Sequence, residues 1–562
     1  MEKVYIGSND GKPPMLDFHG AGDGRLYLNG QVFRVRGINW YGSEDVTTMP
    51  EGLAMESASN IVDFIADHGF NAIRILFNME DWKDNIKVRQ ESWIVDGERN
   101  PELVDANYRD MLRTIIRHAS RRQLLVLLAC HRLRRSYKDD KHPANWPGTW
   151  NGLWFERNTT AAELLSEEKV SLLWSSVAST LCNEWNLFAV DLMNEPHMGF
   201  WGSVESTSYS DADWSAGAAK LGNSVLRACA RLLIFVEGTA EFKTEWGESF
   251  KAARLNGLMA RGPVTLINMS KLVMSPHSYG PSLYGADASL WKWFPERFTS
   301  ADFPHNLPAY WDEHFGFLNE MGIRAPIVVS ETGGDMKCCD IPKVLQRPRA
   351  DALYQETLLR YLDNKDAGFF YFCLNPGSHD TGGVLLDDWV TPDMDKLNLI
   401  LKSTRASQLV RTQAPPSPPS SPPHPPHPPH ASLPSTLRSR SAECDVLSCP
   451  FEYHMCPPNE RRPSQTGFCD LDADCVGDKE FCRAGTKACP KQTGCCVVAP
   501  TCACPPEYTY CRGPSKLHKG PFCDLDKDCV GDNDFCREGT EACPIQRTCC
   551  VTTPKAGFRS GE

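Results

Sequence analysis

Leu187-Phe188-Ala189-Val190-Asp191-Leu192-Met193-Asn194-Glu195-Pro196-His197 is the stretch on which the reading of this 562-residue chain turns. The apolar run Leu187–Val190 reads as a buried strand, and it ends in an adjacent amide and carboxyl side chain. A proline then stops the ladder, because it has no N–H to donate. Asn194 and Glu195 are thereby placed at the C-terminal mouth of a strand.

Seven other runs share this character. Working outward, the candidate strands are Phe33–Trp40, Phe70–Phe77, Leu124–His131, Leu187–Asn194, Leu232–Glu237, Leu272–His277, Pro326–Glu331 and Gly368–Leu374. Amphipathic stretches with helical spacing lie between them, at Ala58–Asp67, Ala106–Arg121, Lys169–Asn183, Ser215–Ala230 and Ala352–Asn364. Near-continuous apolar strands alternating with helices argue for a parallel sheet covered on its outer face. An open doubly wound sheet is the competing arrangement. The count of eight and the polar residues ending several strands favour an α/β fold of the (β/α)8 TIM-barrel type.

Composition limits the partners. The formal net charge is -12, which argues against nucleic acid or an anionic membrane as the main partner. With 10% aromatic residues, a neutral polymer gripped by ring faces and hydrogen bonds fits better. No apolar run approaches the ~20 residues that cross a bilayer.

The 24 cysteines are unevenly placed: six precede residue 400, and 18 fall between Cys444 and Cys550. Such density implies a disulfide scaffold and an oxidising compartment. The first residues, Met1 to Ser8, contain no apolar leader core. The cysteines carry more weight, and export with a leader missing from this sequence is expected. From Gln413 to Ser435 the chain is dominated by proline pairs, a polyproline II spacer on the order of 70 Å long at ~3.1 Å per residue. His424, His427 and His430 share one face of that spacer and read as solvated residues, since nothing there encloses a metal.

Residues 449–497 and 504–551 repeat one pattern, with eight cysteines in register, and each copy can close four bridges. Cys444 and Cys502 are left over and are expected to pair with each other. Asp470-x-Asp472-x-Asp474 and its copy start like a calcium loop, but Cys475 and Cys529 replace the glycine such a loop needs. The expected organisation is a barrel over 1–412, a linker over 413–441, and repeats over 442–498 and 499–553.

Glu195 needs a second carboxylate across the barrel mouth. Ile327-Val328-Val329-Ser330-Glu331-Thr332-Gly333-Gly334 supplies one, an apolar strand ending in Glu before a glycine turn. Counted as strands four and seven, the two place Glu195 and Glu331 facing each other. A carboxyl pair flanking a glycosidic bond supports its hydrolysis, by retention at ~5–5.5 Å and by inversion at ~6.5–9.5 Å. Arg74 is a cation inside an apolar strand and needs an anionic partner. His131 ends strand three, and His277 and Tyr279 end strand six. Arginine and tyrosine donors keep a nucleophilic carboxylate ionised, whereas an acid needs a less polar pocket.

At these motifs the chain resembles glycoside hydrolase family 5, and most its bacterial-type endo-β-1,4-glucanases. The resemblance spans roughly residues 25–405. It is carried by Arg-Gly-Ile-Asn-Trp-Tyr-Gly (36–42), Asn-Ala-Ile-Arg (71–74), Val-Leu-Leu-Ala-Cys-His-Arg (126–132), Asp-Leu-Met-Asn-Glu-Pro-His (191–197), Leu-Ile-Phe-Val-Glu-Gly (233–238), His-Ser-Tyr (277–279), Ser-Glu-Thr-Gly (330–333) and Asn-Pro-Gly-Ser-His-Asp-Thr-Gly-Gly-Val-Leu (375–385).

The resemblance implies Glu195 as general acid/base and Glu331 as nucleophile. It implies Asn194 on the 2-hydroxyl of the reacting sugar, and Arg74 and Tyr279 orienting Glu331. His131 and His277 would shape the subsite, and Trp40 would be a sugar-stacking platform. The sequence departs from the family at Ala129-Cys130, where an acid usually precedes the histidine, and at Met193, often a histidine. In strand eight the usual flooring tryptophan is absent, and Phe372 is the candidate replacement.

The expected protein is a secreted, monomeric, retaining hydrolase of internal β-1,4-glucosidic bonds in cellulose or a related β-glucan, without metal or cofactor. Mannan, β-1,3-glucan or mere glycan binding are the alternatives. Trp146, Trp150, Trp154 and Trp201 either line a glycan cleft or plug loops onto the barrel. Cys338-Cys339 reads as a loop disulfide or buried thiols. By analogy with cellulases, the tail is either a polymer tether or a protein-binding module.

Overall fold

The computed structural model describes residues 2–7, 14 and 16–412, apart from 21, 136–151, 157–164, 203–211, 241–245, 257, 259–262, 286–293, 320–324, 337–348 and 403–405. Further on it describes 480–483, 495–498, 508–509, 534–537 and 549–552.

Eight strands form one parallel sheet: β1 (Arg36–Trp40), β2 (Ala72–Asn78), β3 (Leu125–Arg132), β4 (Leu187–Asp191), β5 (Leu233–Val236), β6 (Leu272–Met274), β7 (Val328–Thr332) and β8 (Gly368–Tyr371). Their order is β6-β5-β4-β3-β2-β1-β8-β7. Parallel bridges Met274↔Ile327 and His277↔Glu331 close the seam between β6 and β7. The expected barrel is therefore present.

Helices return the chain between strands: α1 (Ala58–Asp67), α2 (Tyr108–Arg121), α3 (Glu167–Leu181), α4 (Trp214–Ala228), α5 (Leu307–His314) and α6 (Ala350–Asn364). Ser57 starts α1 by accepting the N–H of Asn60, and Asp213 starts α4 by accepting those of Ser215 and Ala216. The disulfide Cys182–Cys229 ties together the C-terminal ends of α3 and α4.

Alternation along the strands makes two cores. Ile73, Ile75, Val126, Leu128 and Ile234 face the helices. Leu127, Phe188, Phe235, Val273 and Phe370 fill the barrel interior. Gly37 must be glycine, because a Cβ there would sit 2.1 Å from the Phe370 ring.

A small antiparallel sheet (Phe18–Gly20, Leu26–Leu28, Gln31–Val32) closes the barrel floor, with the Phe18 ring 5.2 Å from that of Phe188. Glu2–Gly7 pairs in parallel with Ser407–Thr412, joining both ends of this part of the chain.

Contacts divide the chain into residues 1–421 and 422–562. In the second unit Glu480–Arg483 pairs antiparallel with Cys495–Val498, and Asp534–Arg537 with Cys549–Thr552. The polyproline spacer, the bridges of the two repeats, the Cys444–Cys502 pair and Cys338-Cys339 all lie outside the described residues.

Candidate active site

The interior apolar layer stops at the C-terminal ends of the strands, and polar residues of the same parity take over. Leu125 and Leu127 are followed by His131, Leu233 and Phe235 by Glu237, and Val273 by His277. The result is a cleft of about 560 Å3 at the barrel mouth, lined among others by Tyr41, His131, Asn194, Glu195, Trp246, His277, Tyr279, Glu331 and Phe372.

Arg74 organises its floor. The guanidinium is wholly buried, and its Nη1 donates to Glu331 Oε1 at 2.5 Å and to Asn39 Oδ1 at 3.0 Å. Nη2 donates to Asp191 Oδ2 (3.0 Å), Asn194 Oδ1 (3.0 Å) and Glu237 Oε1 (3.2 Å). Three carboxylates thus share one cation, which no isolated buried charge would permit. Tyr279 donates its hydroxyl to Glu331 Oε2 at 2.7 Å.

His277 lies between the carboxyls. Its Nδ1 is 3.1 Å from Glu195 Oε1 and 3.5 Å from Glu331 Oε2, and its Nε2 is 3.0 Å from Glu237 Oε1. An oxygen of Glu195 and one of Glu331 lie within 4.8 Å of each other.

The two glutamates differ electrostatically. Burial pushes Glu195 above the usual carboxylate range, reinforced by the charge of Glu331 and opposed by His277. Burial acts on Glu331 in the same direction, but His277, Arg74 and the Tyr279 hydroxyl outweigh it and hold the group down at about 2. Burial alone would strip His277 of its proton, yet Glu237, Glu331 and Glu195 keep it protonated well above the ordinary range. For His131 burial outweighs the pull of Glu331, and the ring is lowered to about 3. One carboxyl is poised to carry a proton and its neighbour to stay ionised.

Of the residues expected at the site, Arg74, His131, Asn194, Glu195, His277, Tyr279, Glu331 and Phe372 come together here. Trp40 does not. It points outward with Ile38 into the core beneath the helices, wholly buried, and donates its indole N–H to Glu51 O at 2.9 Å. It cannot be a sugar platform.

Tyr41, one residue on, faces the cleft and stacks on Phe372 with ring centroids 5.9 Å apart at 12°. Trp154 and Trp201 are buried loop plugs, packed on Trp214 and Phe250. Trp146 and Trp150 lie outside the described residues. Among the described residues Trp246, stacked on His197 at 4.1 Å, is the tryptophan that does reach the cleft. Asp191, Glu237 and Asn39 were not expected at the site. Their parity with interior residues was the available signal.

A (β/α)8 barrel with two opposed carboxyl groups of contrasting acidity at its mouth defines a glycoside hydrolase. The chain belongs to the cellulase family, glycosyl hydrolase family 5, whose model matches residues 28–378.

It is 30% identical over 394 residues to an endoglucanase of Paenibacillus polymyxa, covering 68% of this chain and 87% of that one. It is 28% identical to the major extracellular endoglucanase of Xanthomonas campestris pv. campestris, covering 66% of this chain and 68% of that one. Among solved structures it is similar to an endocellulase of Pyrococcus horikoshii in complex with cellotetraose, with a TM-score of 0.55 at 27% identity over 70% of this chain and 99% of the other. Among the described residues no helix is long and apolar enough to cross a membrane.

Proposed function

We propose that this chain is a secreted, retaining endo-β-1,4-glucanase acting on cellulose or a related β-glucan. The observation that carries the mechanism is the pair Glu195–Glu331, with carboxyl oxygens within 4.8 Å and acidities displaced in opposite directions. Oxygens that close accord with the ~5–5.5 Å carboxyl separation of retaining enzymes. The cellotetraose bound by the Pyrococcus enzyme and the extracellular Xanthomonas relative support the substrate class and the compartment. So does the disulfide Cys182–Cys229, which calls for an oxidising compartment.

In this reading Glu331 attacks the anomeric carbon while Glu195 gives its proton to the departing glycosidic oxygen. A covalent glycosyl-enzyme forms. Glu195, now ionised, takes a proton from water, which displaces Glu331 with a second inversion. Arg74 and Tyr279 keep Glu331 ionised and aimed. Arg74 also fixes Asn194 by its amide oxygen, orienting that side chain for the 2-hydroxyl of the sugar. Phe372 and Tyr41 supply the ring faces.

The test is hydrolysis of a soluble cello-oligosaccharide followed by NMR. The β-anomer should appear first, and Glu331→Gln should lower kcat by at least about a thousandfold. First appearance of the α-anomer, or full activity of the variant, would defeat the mechanism. Faster release of reducing sugar from galactomannan or laminarin than from carboxymethyl-cellulose would reassign the substrate.

A further inference from the structure

We propose that Glu237, at the end of β5, is the positioning residue of the acid/base apparatus, holding the backbone of Glu195 with one carboxylate oxygen and the imidazole of His277 with the other. The inference rests on the reading of Glu195 as acid/base.

Glu195 has φ of +47°, in the left-handed region that L side chains avoid at a cost of about 1 kcal/mol. Its N–H donates to Glu237 Oε2 at 2.6 Å, which holds that conformation and aims the side chain into the cleft. Glu237 Oε1 is 3.0 Å from His277 Nε2 and 3.2 Å from Arg74 Nη2. Glu237 is itself completely buried, and its backbone oxygen accepts the indole N–H of Trp214 at 2.9 Å. The residue cannot swing away, and it sits behind Glu195 and His277 without lining the cleft itself.

The consequence is chemical. His277 Nε2 lies 3.0 Å from both the Ser330 hydroxyl, its hydrogen-bond partner, and Glu237 Oε1, so the opposite nitrogen faces Glu195 Oε1 at 3.1 Å. A second proton on the ring then donates to that oxygen and stabilises the Glu195 carboxylate formed when the acid has given up its proton. It also leaves the other oxygen of Glu195 for the glycosidic bond.

The charged or titratable groups around His277 are Asp191 on β4 and Glu195 beyond its end, Glu237 just after β5, Glu331 on β7 and His131 on β3, with Arg74 of β2 sharing the Glu237 carboxylate. Of these, Glu237 acts most strongly to keep the ring charged.

Glu237→Gln keeps the shape and an oxygen for the Glu195 N–H but removes the charge that retains the second proton on His277. Without the cation Glu195 becomes a weaker acid. We expect kcat on a cello-oligosaccharide to fall roughly tenfold to a hundredfold with KM little changed. The alkaline limb of the kcat profile should move to higher pH by about half a unit or more.

A loss of kcat with an unmoved alkaline limb, or a wild-type kcat, overturns the inference. So does a loss expressed mainly in KM. If Glu237→Gln does not melt cooperatively, Glu237→Asp replaces it. That variant keeps the charge one methylene short, so kcat should fall while the limb stays in place, and an undiminished kcat would be the contrary result. Glu195→Gln separates the two readings. If it is as active as wild type, the acid/base assignment itself fails. If it is inactive while Glu237→Gln behaves as wild type, only the present inference fails.

Discussion

At the scale of single residues the site depends on what surrounds Glu331. Burial pushes its carboxyl up, and the protein reverses this with a histidine cation, an arginine and one hydroxyl. Held at about 2, Glu331 is ionised throughout the ordinary working range, and the acid limb of activity lies low. Tyr279→Phe removes the donor at 2.7 Å, so the Glu331 pKa rises and the acid limb moves upward. The pH profile of kcat/KM checks this shift, which should accompany a fall in kcat of roughly tenfold or more. Phe372 is the other residue that matters alone. It faces Tyr41 as a stacked ring where the family usually has tryptophan. Phe372→Trp enlarges the sugar floor, and an added aromatic contact of about 0.5–1.5 kcal/mol lowers KM for cellotetraose roughly two- to tenfold. A KM that rises instead would show that Phe372 is fitted to a different sugar. Trp40 shows what sequence could not supply here. A strand's alternation says that Trp40 and Tyr41 face opposite ways, but only Asn39, turned inward onto Ser330 O at 3.0 Å, tells which way is in.

Among the secondary-structure elements legibility was much higher. All eight strands lie where the apolar runs predict, and α1 spans the predicted Ala58–Asp67. Burial on both faces makes such strands conspicuous, and a helix with one apolar face is nearly as plain. The strand ends were less legible, because a polar tip such as His277 continues the pairing only through an isolated bridge to Glu331. The floor sheet at Phe18–Val32 is not legible in the sequence, since strands of two or three residues carry too little pattern to read. Nor is the disulfide, because Cys182 and Cys229 are 47 residues apart and meet only when α3 packs on α4. Replacing both with serine frees that loop in the unfolded chain and should cost about 2–4 kcal/mol, measured by denaturant unfolding of the barrel. Asp213 takes the N–H groups of Gly202, Ser215 and Ala216 at the start of α4. Asp213→Ala should cost about 1–2 kcal/mol in the same assay, and no change would mean that solvent replaces the cap.

For the whole molecule the question is where the folded barrel stops. The proline run beginning near Gln413 marks a boundary by composition, but composition says nothing of what the preceding residues do. Ser407–Thr412 pairs along its whole length with Glu2–Gly7, register Glu2↔Ser407 to Gly7↔Thr412. Ser407 is fully buried; its hydroxyl accepts the N–H of Arg34 at 3.0 Å, and its carbonyl accepts Asn71 Nδ2 at 2.8 Å. Arg34 in turn reaches Glu2 at 2.8 Å. The first and last strands of the barrel unit thus clasp each other at the bottom of the barrel. A chain ending at residue 412 should therefore keep the melting temperature of its barrel and its kcat on cello-oligosaccharides. A chain ending at residue 405 loses the ladder and uncovers Val4 and Ile6, and should melt at least several degrees lower while kcat at low temperature stays close to normal. Equal melting temperatures for the two would mean that the terminal strands contribute nothing to the barrel. The same pair of truncations separates the tail from the chemistry. If the cysteine repeats tether the enzyme to polymer, the 412-residue form keeps its rate on soluble oligosaccharide but loses rate on insoluble cellulose, where effective concentration matters. An undiminished rate on insoluble cellulose would leave the tail a role other than holding this substrate.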